Sequence, residues 1–128
     1  MSSFPTLEEF SSDVQQFAIY KRTIQGCSEK TVNEYMLDLR TFFRYLLAIE
    51  NHIEIDSDEF IKIDVSSIDA KYLSKIKTEQ IYEFLFYTGD TRKNMWSAKA
   101  RKLSAIKGIY KFFTVKRNYF EENPAINI

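Results

Sequence analysis

The chain has 128 residues, 45% of them hydrophobic and 16% aromatic, and its 18 basic and 18 acidic residues give a formal net charge of zero. This length and composition suffice for the core of one ordinary domain. Its single cysteine, Cys27, and single histidine, His52, exclude an internal disulfide, a cysteine-rich zinc site and a catalytic pair built on a second histidine. We therefore expect one cytoplasmic domain without a metal, a cofactor or a small-molecule ligand.

Helix is the expected secondary structure. Three glycines and two prolines leave few of the breaks that a sheet needs between short strands. The N-terminal stretch MSSFPTLEEF lacks the basic and apolar regions of a signal peptide, and no run approaches the ~18 apolar residues of a membrane span. The composition thus predicts an all-α, soluble protein with no membrane partner.

Two helices are predicted in the first half of the chain. Thr6 and Glu9 match a capping box, and the helical pattern that follows runs from about Leu7 or Asp13 to Gln25, where Gly26 ends it. Ser28 is a good N-cap for a longer helix to about Glu50. The apolar residues expected on the inner faces of these two helices are Leu7, Phe10, Val14, Phe17, Ile24, Val32, Tyr35, Leu39, Phe42, Phe43 and Leu46.

The second half begins with a loosely patterned acidic stretch. Residues 52–77 are interpreted as a loop with a short helical turn near Ala70 to Leu73. A third helix is expected from a Thr78 cap to Gly89, with Ile81, Phe84 and Leu85 inward, followed by the polar turn GDTRKN. Ser97 is expected to cap a last long helix to about Arg117. A short turn at Tyr119 and Phe120 then precedes the break at Asn123-Pro124.

Charge is unevenly distributed along the chain. From Ala48 to Asp69 there are seven acidic residues and one basic residue, whereas from Arg92 to Arg117 there are nine basic residues and no acidic one. The balanced net charge therefore hides a negative segment and a positive helix. A helix with so much uncompensated positive charge favours a polyanionic partner, although a solvated surface is the common alternative for such a helix.

The predicted basic helix has two different sides. At 100° per residue, its apolar side is expected to form core and consists of Trp96, Ala100, Leu103, Ile106, Ile109, Tyr110 and Phe113. Its other side is small apart from one arginine and consists of Ser97, Arg101, Ser104, Ala105 and Gly108. A bulky partner could approach the backbone there, with Arg101 projecting and with Lys102, Lys107 and Lys111 reaching outward from the edges.

The second helix repeats this arrangement more weakly. Its exposed face is expected to carry Lys30, Glu34, Thr41 and Arg44, with Asn33 and Arg40 at the border. Ser28 and Thr31 place hydroxyl groups and free backbone N–H groups at the start of the helix, which suits a phosphate. Two such helices across one core could clamp the major groove of duplex DNA.

Other candidate sites have simpler explanations. The aromatic residues Trp96, Tyr110 and Phe113 could stack on bases, but their helical spacing favours core packing, and Phe112 is left unassigned. The acidic segment lacks the spacing and the glycine of a calcium loop, so it is interpreted as a solvated loop. His52 and Cys27 are not expected to be catalytic, and no phosphate-binding loop, dinucleotide motif or nucleophile elbow is present.

Two segments together resemble the core-binding domain of tyrosine recombinases, the phage-integrase and Xer-like family. GCSEKTVNEYMLDLRTFFRYL, from Gly26 to Leu46, is similar to its G-x-S-x-x-T-x-x-x-Y-x-x-D-L-x-x-F-x-x-Y-L pattern. ARKLSAIKGIYKFFTVKRNYFEENPAINI, from Ala100 to Ile128, resembles its closing helix and terminal N-P-A. The resemblance implies a four- or five-helix SAM-like orthogonal bundle that forms half of a C-shaped clamp around DNA.

The resemblance also implies which residues face DNA. Thr31 corresponds to a phosphate contact, with Ser28 beside it and with Lys30, Asn33 and Glu34 on the DNA side. Arg101 corresponds to a position that faces base edges. Around it on the last helix lie Ser97, Ala98, Lys102 and Ala105. Lys107 and Lys111, further along, are DNA-binding candidates from the helical face alone.

The implied function is a DNA-binding clamp domain that contacts a recombination half-site during DNA integration or recombination. Residues 1–122 would form this domain, and residues 123–128 would begin a linker to a catalytic domain beyond Ile128. The partners would be double-stranded DNA and other recombinase protomers, and this chain would contain no catalytic residue. The alternative is a helical protein-interaction module with basic and acidic poles.

Overall fold

The computed structural model describes residues 4–90 and 96–128, and it leaves out the side chains of residues 89, 90, 96 and 97. Within these residues the protein is all-α, as predicted, and no strand is present. The helices are α1 (Ser12–Thr23), α2 (Glu29–Asn51), α3 (Ala70–Ser74), α4 (Thr78–Asp90) and α5 (Trp96–Lys111). The chain forms two compact units, Met1–Asp69 and Ala70–Ile128. The SAM-like arrangement remains a prediction.

The first unit begins with a 3₁₀ turn, Leu7–Glu9, that uses the predicted capping box. The backbone N–H of Thr6 donates to Glu9 Oε2 at 2.8 Å. A separate N-cap, Ser11, starts α1, and the helix ends before Gly26, whose φ of +68° is the left-handed conformation that glycine adopts without strain. The predicted break at Gly26 is therefore confirmed, whereas the cap at Ser11 that separates the 3₁₀ turn from α1 was not predicted.

Helix α2 is the longest element, and it starts where predicted. Ser28 Oγ accepts a hydrogen bond from the backbone N–H of Thr31 at 3.1 Å, and His52 closes the helix in a left-handed conformation. The apolar residues of α2 pack with α1, so that Val14, Leu39, Phe42 and Phe43 have no significant exposure.

The acidic segment after α2 is more than a solvated loop, which corrects the prediction. Phe60, Val65 and Ile68 are all buried in the first unit, and a 3₁₀ turn covers Phe60–Lys62. Ser11 Oγ donates to the carbonyl oxygen of Ile68 at 2.8 Å. The acidic residues from Glu54 to Asp64 are exposed, on a backbone that these apolar anchors fix.

The second unit is built on α4 and α5. The hydroxyl group of Tyr110 in α5 donates to the carbonyl oxygen of Leu73 in α3 at 2.8 Å, and burial, with a smaller effect of Tyr72, raises the pKa of Tyr110. Thr78 is the first residue of α4, and its side chain donates to Pro124 O at 2.7 Å. Because Ala125 is also buried, the segment predicted as a linker packs within this unit.

A π-helical turn, Phe112–Lys116, follows α5 directly. Phe112 and Phe113 are both buried, with ring centroids 5.7 Å apart, and the turn ends where the backbone N–H of Arg117 donates to Phe112 O. The wider helical turn carries two consecutive aromatic residues into one core. Phe112 is thus a core residue, whereas the helical turn predicted at Tyr119 and Phe120 is not formed.

Several inward positions were predicted wrongly. Leu7 is 38% exposed and Ile24 is 72% exposed, because the first lies in the 3₁₀ turn and the second follows the end of α1. The predicted turn GDTRKN lies largely outside the described residues. Helix α5 starts at Trp96, one residue before the predicted cap Ser97, and the side chains of both residues lie outside the described part.

Candidate nucleic-acid interface

Helix α5 has one exposed face, which we call the basic strip. Ala100, Arg101, Ser104 and Lys111 are exposed on it, and Lys107 and Gly108 are half-buried between them. Positions 100, 104, 107, 108 and 111 share one side of a helix, and Arg101 lies at the border of that side. The strip therefore combines three cations with three small residues and carries no acidic residue.

The core face of α5 is rotated from its predicted position. Ala105 was predicted on the outer side, but it is fully buried, and Lys102 is only 7% exposed. Ala100, predicted as core, is exposed, and Leu103 is half-buried. The buried residues of the helix are Lys102, Ala105, Ile106, Ile109 and Tyr110, so that neither Ala105 nor Lys102 lines the basic strip. Ala98 is half-buried.

The start of α2 matches its prediction more closely. Ser28 and Lys30 are exposed, and Thr31 is half-buried. Ser28 Oγ also lies 3.0 Å from Thr31 Oγ1, so both hydroxyl groups are held at the helix start. The first N–H groups of a helix lack partners within it and favour an anion. The geometry of this end is therefore compatible with a phosphate.

Other predicted residues of α2 have less accessible positions. Asn33 is half-buried and lines an apolar groove of about 330 Å³ in the first unit, together with Val32 and Met36. Glu34 is also half-buried. The side chains of Asn33 and Glu34 are therefore less accessible to a partner than that of Lys30.

The arginines expected on the exposed face of α2 are instead tied into the first unit. Arg40, 8% exposed, forms an ion pair with Glu9 at 2.9 Å. Arg44 Nε donates to Ile63 O at 3.2 Å. The prediction that this face offers both arginines to a partner is therefore wrong, since they fix the N-terminal turn and the acidic segment to α2.

The pKa values of this cluster follow from burial and charge. Burial alone would raise the pKa of Glu9, but the hydrogen bond from Thr6 and the charges of Arg40 and Arg44 outweigh it and lower that pKa. Burial and repulsion by Arg40 lower the pKa of Arg44. The Glu9 carboxylate is thus held ionised, and it neutralises part of the positive charge beside it.

Two features of the structure were missed from the sequence. The Glu9–Arg40 ion pair joins residues 31 positions apart, and a helical pattern carries no information on such a contact. The exposed side of α4 carries Tyr82 and Phe86, which are 52% and 69% exposed. Their spacing of four residues on one helix could have identified them as a pair.

Neither a candidate metal site nor a membrane-spanning helix is found among the described residues. Residues 4–90 and 96–128 contain no group of three or more His, Cys, Asp or Glu side chains that could hold a metal ion. No helix in the same residues is both long and apolar enough to cross a membrane. Tyr110 and Phe113 are buried, which confirms the core interpretation of these two residues over base stacking, whereas the side chain of Trp96 lies outside the described part.

The chain is similar in sequence to a tyrosine recombinase. The chain is 26% identical over 122 residues to the tyrosine recombinase XerC of Caldanaerobacter subterraneus subsp. tengcongensis. The matched region covers 95% of this chain but 34% of XerC, so the chain spans about a third of the length of this relative. No family model matches the chain, and no solved structure matches it. The similarity supports a relationship to tyrosine recombinases in general.

Proposed function

We propose that this chain is a DNA-binding clamp domain of a tyrosine recombinase, which contacts the major groove of a recombination half-site. The observation that carries the proposal is the basic strip, which is exposed on a helix that has no acidic residue from end to end. The similarity to XerC over 95% of the chain supports the same function. A polyanion is the partner that this surface fits best.

The strip can approach DNA closely. Ala100, Ser104 and Gly108 keep its surface shallow, so the backbone of α5 can lie deep in a major groove. The guanidinium group of Arg101 can donate two parallel hydrogen bonds to guanine, whereas Lys107 and Lys111 suit phosphates. At the start of α2, Ser28, Lys30 and Thr31 would hold a further phosphate.

Strand cleavage and rejoining, through a 3′-phosphotyrosyl intermediate, would belong to a second domain of a longer protein. The extent of the match, 34% of XerC, is compatible with this division. The partners would be duplex DNA and other recombinase protomers, in the cytoplasm.

The test is to select a preferred site from a randomised duplex pool and to measure the affinity for it across a salt series. Three to five neutralised phosphates give a log–log slope of roughly −3 to −5. Weak but salt-dependent binding is expected, because half a clamp makes few contacts. Binding that does not change with salt would instead favour the protein-interaction alternative.

A further inference from the structure

Helix α4 carries an exposed stripe of aromatic and acidic side chains. Glu79, Tyr82, Glu83 and Phe86 are all exposed, and their spacing of three and four residues places them on one side of the helix. The opposite side, with Ile81 and Phe84, is fully buried. We call the four exposed residues the α4 stripe. Two aromatic rings one turn apart on the solvent side of a helix indicate a surface that a partner covers.

The charge of the α4 stripe limits what that partner can be. Glu79 and Glu83 flank the rings, and no basic residue lies among the four positions. Two carboxylates repel a phosphate backbone, so this is not a second DNA surface. The required partner presents cations to the carboxylates and leaves space for two aromatic rings.

The chain itself presents such a surface. The basic strip supplies Arg101, Lys107 and Lys111, and its small residues Ala100, Ser104 and Gly108 leave room between the cations. Ammonium and guanidinium groups pair with carboxylates, and they also bind the faces of aromatic rings. The two surfaces are complementary in charge and in side-chain size.

We propose that the α4 stripe of one copy binds the basic strip of a second copy. Phe86 and Tyr82 pack over the small residues of the strip, and Glu79 and Glu83 pair with Lys107 and Lys111. The contact is small and strongly electrostatic, so it is transient and weakens with salt. This self-association does not depend on DNA binding. It uses the basic strip, which is also proposed to bind DNA, so duplex DNA and a second copy compete for the strip.

Analytical ultracentrifugation of the 128-residue chain tests the contact. At about 50 mM salt, the wild type should associate with a dissociation constant on the order of 0.1–1 mM, and the association should weaken at least tenfold at about 300 mM. Two variants, Glu79→Lys/Glu83→Lys and Lys107→Glu/Lys111→Glu, should each be monomeric. An equimolar mixture of the two should associate again, because each retains the surface that the other lacks.

Two controls separate this contact from general charge attraction. Adding Phe86→Ser to both variants keeps their charges, and it should abolish association in the mixture because each complementary contact then lacks this ring. The variant Glu54→Lys/Glu59→Lys changes exposed acids elsewhere and should associate like the wild type. Circular dichroism confirms that each variant is folded.

The outcomes are distinct for the two proposals. A wild type that stays monomeric to about 1 mM, or a mixture that fails to associate, overturns the α4–α5 contact. Duplex DNA should convert wild-type dimers to DNA-bound monomers. If DNA does not bind but the mixture associates, the proposed DNA function fails and the self-association remains.

Discussion

Two neighbouring basic residues of α5 differ completely in environment. Arg101 is exposed, whereas Lys102 is only 7% exposed. A lysine can line a core with its aliphatic stem while its ammonium group reaches a polar partner, so its position in a basic run does not determine its exposure. The proposed role in DNA recognition is therefore assigned to Arg101 and not to Lys102.

Replacing Arg101 by Ala should cost about 1–3 kcal/mol on the selected duplex and should reduce the preference for it over a scrambled duplex. Lys111→Ala should weaken binding to both duplexes about equally, because a lysine on a phosphate carries no sequence information. Fluorescence anisotropy with both duplexes measures the difference. Lys102→Met is the matched control and should leave the preference unchanged. If the Arg101→Ala variant prefers the selected duplex as strongly as the wild type does, the assignment of the basic strip as the DNA-binding face is wrong.

The Glu9–Arg40 ion pair makes a pH-dependent contribution to stability. Because the pKa of Glu9 is lowered by folding, its contribution is complete at neutral pH and is lost as the pH falls below about 5. Glu9→Gln should lower the free energy of unfolding by about 0.5–1 kcal/mol at pH 7, a small effect because the Glu9 side chain is 35% exposed.

Urea denaturation of the wild type, Glu9→Gln and the control Glu8→Gln at pH 7 and at pH 3 measures this contribution. The side-chain amide that Glu9→Gln introduces can still accept the hydrogen bond from Thr6, so the substitution isolates the charge. The difference between the wild type and Glu9→Gln should shrink at pH 3. A difference that is equal at both values would show that the charge does not stabilise the fold.

At the scale of the helix, Ser28 has a structural role and a proposed DNA role that can be separated. Ser28→Ala removes the N-cap of α2 and should cost about 1 kcal/mol of stability. Ser28→Asp keeps the cap but places a negative charge where a phosphate is proposed, so stability should be retained while DNA affinity falls. Thermal unfolding and anisotropy distinguish the two effects. If Ser28→Asp and the wild type bind DNA with equal affinity, the proposed phosphate contact at Ser28 is excluded.

The sequence predicted the existence of the helices better than it predicted their faces. The caps and breaks at Ser28 and Gly26 are local, so they could be recognised directly. The exposed face of α5 could not be recognised from the sequence, because alanine occurs on both sides of the helix and Lys102 enters the core. The π-helical turn adds a residue to the last turn, which changes the periodicity and explains why Phe112 could not be assigned.

For the whole molecule, the proposal places catalysis in a second domain, and it therefore predicts that this chain alone is catalytically inactive. A nucleophile with a general base and phosphate-stabilising arginines is not expected from its residues. Supercoiled plasmid incubated with the chain should keep its topology on an agarose gel. The proposal would be contradicted if a plasmid-relaxing activity copurified with the chain and was lost when one of its tyrosines was replaced by Phe.

The lack of acidic residues in α5 also affects how firmly this helix is held. Lys99, Arg101 and Lys102 lie in its N-terminal half, where positive charge opposes the helix macrodipole, and Lys107 repels Lys111 one turn later. Packing must therefore offset this electrostatic cost, and local opening should be easier here than in α2. A bound polyanion would remove the repulsion. Amide hydrogen exchange in α5 should consequently slow on DNA binding, by more than in any other helix of the chain.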